Sequence, residues 1–432
     1  MEEKVSFSNV RHETRVQLID MFSNPSGHKV HKAAFLPEAF APVQTGAPAL
    51  SEKGMKEFDI YRLVFGSLIF IGLTIGIFWY QFAQIPDGNR PAIWDQLQWS
   101  YLFWLLLFLP IDTLAAGLRI WVICRVLQPG VSFWTCLKAE WANLGLAMLT
   151  PSQTGGGFGQ IYVLNRGGLD MGTALSVSLI TFLGSMVVLL LVGIHSLLIS
   201  KVEHLTVFFQ GAFLVFSLVF GAVIFAVCWP GSLRWAACGI SILMEKICAR
   251  NRPLENMNLS HNPRIKRLLG YLHRLSEKLI DLCYLHQANM RRFFHLNSSS
   301  FIWVCFLSLV FILSRAIMAF LCLRFLGIQA SDLMNIIETQ LSLIFLIYFA
   351  PTPGSSGLAE GASMLMLDGA MPAGFVPYYN LLWRCSTLYL PAIAGLLFLL
   401  RTIMQDARSV VGRCRPKDGD LNSIDKQTNM HN

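Results

Sequence analysis

Six ionisable side chains sit in stretches so apolar that solvation cannot account for them: Asp112, Arg119, Arg315, Glu338, Glu360 and Arg384. A charge at the centre of a bilayer costs at least roughly 2.5 kcal/mol on insertion scales, so such residues face a protein interior or a wet cavity and mark a path for ions or substrate. Two polar, glycine-rich interruptions accompany them, TPSQTGGGFGQIYVLNRGG over Thr150 to Gly168 and APTPGSSGLAEGASMLMLDG over Ala350 to Gly369. Pro151, Gly157 and Gln160 recur 200 residues later as Pro351, Gly357 and Glu360. Hydrocarbon supplies no hydrogen bonds, so irregular backbone at membrane depth must be buried in protein or line a polar cavity.

These interruptions are suited to holding an anion. Each delivers the N-terminus of a short helix, starting near Phe158 and Leu358, whose free N–H groups and dipole favour negative charge. Gly155, Gly156, Gly157, Gly354 and Gly357, with Pro151 and Pro353, let backbone approach a ligand closely. Close helix packing explains some of the glycines equally well, but not Gln160 and Glu360 at matching places. The same polar pair appears crosswise on the preceding arms, Glu140 with Gln160 and Gln340 with Glu360. Arg384 lies eight residues into its span, too deep to snorkel, and Glu360 is its expected partner.

The elements that position these residues are membrane helices. Of 432 residues 54% are hydrophobic and 14% charged, with a mean hydropathy of +0.51, which excludes an ordinary soluble domain. Spans are expected over Leu63 to Tyr80, Trp99 to Leu127, Met171 to Ser200, Leu205 to Trp229, Phe301 to Phe325 and Val376 to Leu400. Phe133 to Leu149 with Phe158 to Asn165, and Leu333 to Phe349 with Leu358 to Leu367, are too short or too broken to cross and read as re-entrant hairpins. Lys138 and Arg166 put the first hairpin's feet inside. Asp332 and Asp368, with no Lys or Arg, put the second's outside. Span, hairpin and span in each half therefore make an inverted repeat, the transporter plan in which broken helices mark the binding site.

The domain plan is a disordered cytoplasmic tail over 1–58, a first membrane half over 59–230, a basic cytoplasmic loop over 231–299, a second membrane half over 300–401 and a cytoplasmic tail over 402–432. The loop carries eleven Lys or Arg against four Asp or Glu, a net +7. Within it Arg264 to Asp281 has the periodicity of an amphipathic helix, which suits an anionic lipid surface or the loop's own protein better than nucleic acid. The ten cysteines form no CxxC pair and no metal-spaced cluster, so they read as reduced and structural. No metal and no cofactor is expected.

The chain resembles the flippase-like membrane domain of the lysylphosphatidylglycerol synthase family. The residues that carry the likeness are Pro151, Gly155-Gly156-Gly157, Gln160 and Arg166-Gly167-Gly168, then Pro351, Pro353-Gly354, Gly357, Glu360, Leu382-Trp383-Arg384, Pro391 and Gly395. It covers about Ile60 to Leu400. Two departures stand out: only about thirty residues follow where the synthases carry a soluble aminoacyl-transferase domain, and the second break reads Gly354-Ser355-Ser356-Gly357.

The resemblance implies translocation of a lipid between leaflets, and with no His, Asp or metal constellation suited to catalysis no enzyme activity is expected. The expected cargo is an anionic or zwitterionic phospholipid or a lipid-linked intermediate. Its phosphate would sit at the glycine breaks and Arg384, and Asp112, Arg119, Glu140, Arg315, Glu338 and Gln340 would line a polar path. Two other readings stay open, a proton-coupled transporter of a soluble solute working through Glu360 and Asp112, and a membrane-embedded lipid-modifying transferase. The expected partners are membrane lipid, a second copy of the chain or a lipid-synthesis enzyme. The expected place is a bacterial cytoplasmic membrane with both termini inside.

Overall fold

Long apolar runs ended by glycine and proline dictate the architecture seen in a computed structural model of the chain. It describes residues 60–85, 93–199, 206–228, 281–295, 297–329, 333–348, 350–367 and 371–413. These residues are helical or in turns and form no β-strand, and those from Tyr61 onward form one compact unit. The helices are α1 (Ile60–Ala83), α2 (Trp99–Leu127), α3 (Phe133–Leu149), α4 (Gly156–Arg166), α5 (Met171–Ile199), α6 (Thr206–Cys228), α7 (281–295), α8 (Ser298–Phe325), α9 (Leu333–Ile347), α10 (Leu358–Met366), α11 (Val376–Arg384) and α12 (Leu390–Arg413).

Among the described residues four helical stretches are long and apolar enough to cross a membrane: Trp99–Leu127, Met171–Leu198, Ser298–Phe325 and Ala373–Asp406. Large apolar side chains are exposed along them and along α1, including Leu68, Ile75, Phe103 and Trp303. An apolar exterior of this kind needs lipid against it, and the chain is an integral membrane protein.

The two breaks are built by similar local rules. After α3 the backbone becomes extended at Thr150 and makes a single 3-10 turn over Pro151–Gln153. After α9 a second 3-10 turn covers Pro353–Ser355. Ser152, Gln153 and Ser355 have positive φ without being glycine, and Gly354 and Gly357 join them at +57° and +90°. Left-handed non-glycine backbone is costly and persists only where the surroundings over-determine it. Thr150 holds the first break by donating Oγ1 to the Leu146 carbonyl at 3.0 Å and accepting from Gly155 N at 2.8 Å. Glu360 caps α10 by accepting from Gly357 N at 2.7 Å.

Packing pairs like with like. Helices α2 and α8 lie against each other antiparallel: Trp99 at the start of α2 meets Phe325 at the end of α8 with ring centroids 5.8 Å apart. Mid-helix, Asp112 meets Ser314 and Arg315. Arms α3 and α4 form a hairpin, because Gly159 stands under the Ala142 carbonyl near the tip and Gly167 under Thr135 at the feet. The tips of the two breaks touch, with Gln153 Nε2 3.5 Å from Ser355 Oγ.

Most expected boundaries agree with the structure to within a few residues. Helix α4 starts two residues before Phe158, because Gly156 fits where any side chain would collide with Asn143. The last expected span is not one helix. A five-residue π-helical stretch, Cys385–Tyr389, follows Arg384, and α12 runs on to Arg413 rather than stopping near Leu400. The tail 1–58, the amphipathic stretch from Arg264 up to residue 280 and everything after 413 lie outside the described residues.

Candidate functional site

Where the two breaks meet, a cavity of about 130 Å³ opens among α2, α3, α5, α8, α9 and the π-helical stretch. Three arginines line it, Arg119 from α2, Arg315 from α8 and Arg384 from the end of α11. A buried guanidinium cannot shed its proton, so each needs a counter-charge. Arg119 donates Nη2 to Glu140 Oε1 at 3.0 Å and Nη1 to Ser185 Oγ at 2.8 Å. Arg315 donates Nε to Asp112 Oδ1 at 3.2 Å, and Ser314 adds its hydroxyl to the same oxygen at 3.0 Å. Arg384 donates Nε to Glu360 Oε1 at 2.9 Å and Nη2 to the Ser355 carbonyl at 3.0 Å.

Asp112, Arg119, Glu140, Glu360 and Arg384 are all at most 4% exposed. The first two arginines also share one ring, their guanidinium carbons lying 4.6 and 4.1 Å from the Phe311 centroid, a favourable cation–π placement.

Of the residues the sequence singled out, Arg119, Glu140, Arg315, Gly354 and Arg384 line the cavity. Asp112 and Glu360 stand behind it as the partners of Arg315 and Arg384. The expected pair of Arg384 with Glu360 is present.

The crosswise match of residue types, Glu140 with Gln160 and Gln340 with Glu360, does not correspond to hydrogen-bonded pairs. Arginine makes a stronger charge-assisted bond to a carboxylate than an amide can, so each glutamate goes to an arginine. The amides go to hydroxyls instead: Ser178 Oγ donates to Gln160 Oε1 at 3.0 Å, and Tyr379 OH donates to Gln340 Oε1 at 2.9 Å. Glu338 is half-buried on α9 and does not line the cavity.

The glycines divide by role. Gly155 and Gly156 are filled around by Thr150 and Asn143, and that is packing. A Cβ on Gly157 would meet only Ser178 Oγ at 3.6 Å, and one on Gly357 only Ile77 at 3.5 Å. Pro151 is exposed and Pro353 half-buried, each opening its 3-10 turn.

The cavity also holds residues that sequence reasoning missed, among them Asn143, Gln153, Phe311 and Ser355. Two carried a signal. Asn143 follows Glu140 by three residues and Phe311 precedes Arg315 by four, so each shares a helix face with an intramembrane charge. Ser355 and Gln153 reach the site only through backbone turns that spacing does not encode. Among the described residues no group of three or more His, Cys, Asp or Glu is placed to hold a metal ion.

A family model described as the lysylphosphatidylglycerol synthase TM region matches residues 63–395. No curated protein and no solved structure matches the chain.

Proposed function

The chain belongs to the lysylphosphatidylglycerol synthase transmembrane-region family, and on that premise we propose that it moves a phospholipid or lipid-linked intermediate with an anionic or zwitterionic headgroup between leaflets. The family relates it to lipid handling. The single observation that carries the finer reading is the cavity where two broken helices touch, lined by three arginines, two of them buried and the third partly so. Phosphate is the lipid group that planar guanidinium forks fit best. The chain acts here as a transporter rather than an enzyme, in a cytoplasmic membrane with both termini inside.

The transport reading includes an inverted repeat with two hairpins that re-enter the membrane. Three observations support it. The corresponding helices α2 and α8 run antiparallel. Helix α3 packs closely on α12 at Gly145 and Gly395, as α9 packs on α5 at Phe345 and Gly193. Helix α3, 17 residues long, reaches only about 25 Å at 1.5 Å per residue, short of a hydrocarbon core of about 30 Å.

The test is reconstitution of the purified chain into vesicles carrying acyl-chain-labelled phospholipid, with outer-leaflet quenching read over time. Transport requires faster loss of label protection than in protein-free vesicles, and slower loss in Arg119→Gln or Arg384→Gln. Equal rates with and without protein, for every phospholipid tried, would end the reading.

A further inference from the structure

The unused hydrogen-bonding capacity of the cavity narrows the cargo. Two guanidinium groups that line it each keep a buried N–H without a partner, Nε of Arg119 and Nη2 of Arg315. They come from different halves of the chain and converge on the ring of Phe311. Glu140, which also lines the cavity, keeps one carboxylate oxygen, Oε2, buried with no donor, while Oε1 is taken by Arg119. The lining residues therefore hold two unpartnered guanidinium donors fit for a phosphate, the unpartnered Trp383 indole N–H, and one anionic acceptor fit for an N–H of opposite charge.

Charge counting points the same way. Arg119, Arg315 and Arg384 are matched one for one by Glu140, Asp112 and Glu360, so the six groups sum to zero. A cargo with net charge would bring an uncompensated ion into a low-dielectric site, which is costly. A zwitterion brings its own counter-charge.

Resting on the proposed translocation, we infer that the cavity takes a net-neutral phospholipid headgroup carrying a phosphate and a primary ammonium, the phosphoethanolamine type. The phosphate is held between Arg119 and Arg315, and the ammonium donates to Glu140 Oε2. A quaternary ammonium has no N–H for that oxygen, and a glycerol headgroup leaves the phosphate charge uncompensated.

The experiment compares three acyl-labelled lipids with unmodified headgroups, phosphatidylethanolamine, phosphatidylcholine and phosphatidylglycerol, in phosphatidylcholine vesicles holding the full chain. Losing one charge-assisted hydrogen bond should slow either of the others at least about tenfold relative to phosphatidylethanolamine. Glu140→Gln should bring the ratio to phosphatidylcholine to about one and, because the six groups then sum to +1, should turn the comparison with phosphatidylglycerol in favour of the anionic lipid.

Phosphatidylglycerol or phosphatidylcholine moving as fast as phosphatidylethanolamine would overturn the inference and leave lipid translocation standing. A preference that survives in Glu140→Gln would overturn the role given to that carboxylate. No movement of any lipid would remove both the inference and the reading beneath it. Should Glu140→Gln fail to fold, the comparison of the three lipids on the parental chain decides alone.

Discussion

Arg384 shows how one side chain can belong to the frame of a site as much as to its surface. Its Nε is spent on Glu360 and its Nη2 on the Ser355 carbonyl, and Glu360 also caps α10 through Gly357 N. The side chain thus ties α11 to the second break. Removing one partner of a buried ion pair leaves an uncompensated charge and costs about 3–5 kcal/mol, whereas replacing both can be neutral. Arg384→Gln should therefore lower the melting temperature in detergent clearly, and the double change Arg384→Gln with Glu360→Gln should recover part of the loss. Arg384→Lys should fall between, because an ammonium cannot reproduce the planar two-site geometry. A single Arg384→Gln variant that melts with the parent would show the pair to be dispensable. The pair itself was legible in the sequence, since a deep arginine demands a carboxylate and Glu360 lay at matching depth. The partners of Glu140 and Gln160 were not, because symmetry of residue type says nothing about which arginine stands nearer.

Element packing depends on glycines whose neighbours the sequence could not name. Gly395 on α12 faces the Trp141 carbonyl of α3 so closely that a Cβ cannot be accommodated, and Gly145 answers it with a Cβ position 2.8 Å from Leu396 N. Over-packing of this kind costs about 1–3 kcal/mol, so Gly395→Ala should reduce thermal stability. Gly72→Ala on α1, with nothing within 4 Å, should leave it unchanged or slightly raised, and the two variants compared in one melting series test the assignment. Of these glycines the sequence singled out only Gly395, through the family resemblance; Gly156, expected at a ligand, is pressed against Asn143.

A second element-scale contact carries a pH signature. Helix α7 docks on α5 through His286 Nδ1 and Ser176 Oγ, 3.0 Å apart, with Asn289 donating to Thr173 Oγ1 at 3.0 Å. Burial pushes the His286 imidazole down from 6.5 to about 4. Above 6.5 it is neutral both folded and unfolded, and the contact contributes in full. Between 6.5 and about 4 the unfolded chain takes up a proton that the folded one refuses, so stability falls as pH drops through that window and levels off below it. His286→Gln should flatten the melting temperature over the same range, and an unchanged pH profile would remove the histidine from the account.

For the molecule as a whole, the charge distribution and the helix order both bear on which way each hairpin faces. The 231–299 loop carries a net +7, and Arg401, Arg408, Arg413 and Arg415 cluster near the C-terminus. Excess Lys and Arg stay on the cytoplasmic side. On the proposed topology the end of α2, with Arg125 in its last turn, is inner. Because α8 runs antiparallel to α2, its own last turn is then outer. The first hairpin follows α2 and the second follows α8, so their feet belong on opposite faces. The apolar pattern alone could place the helices but not this relation, which the charges at Lys138, Arg166, Asp332 and Asp368 pointed to and the antiparallel contact of Trp99 with Phe325 supports. Single cysteines at Met171, just after the first hairpin, and at Leu333, which opens α9, test it because both positions are exposed. In intact cells a membrane-impermeant maleimide should label Leu333→Cys directly and Met171→Cys only after permeabilisation, with both labelled in detergent as a control. Labelling of both from the same face would dismantle the inverted arrangement. The cavity between the breaks would then no longer be reachable from opposite leaflets in turn, and the proposed lipid path would lose its geometry.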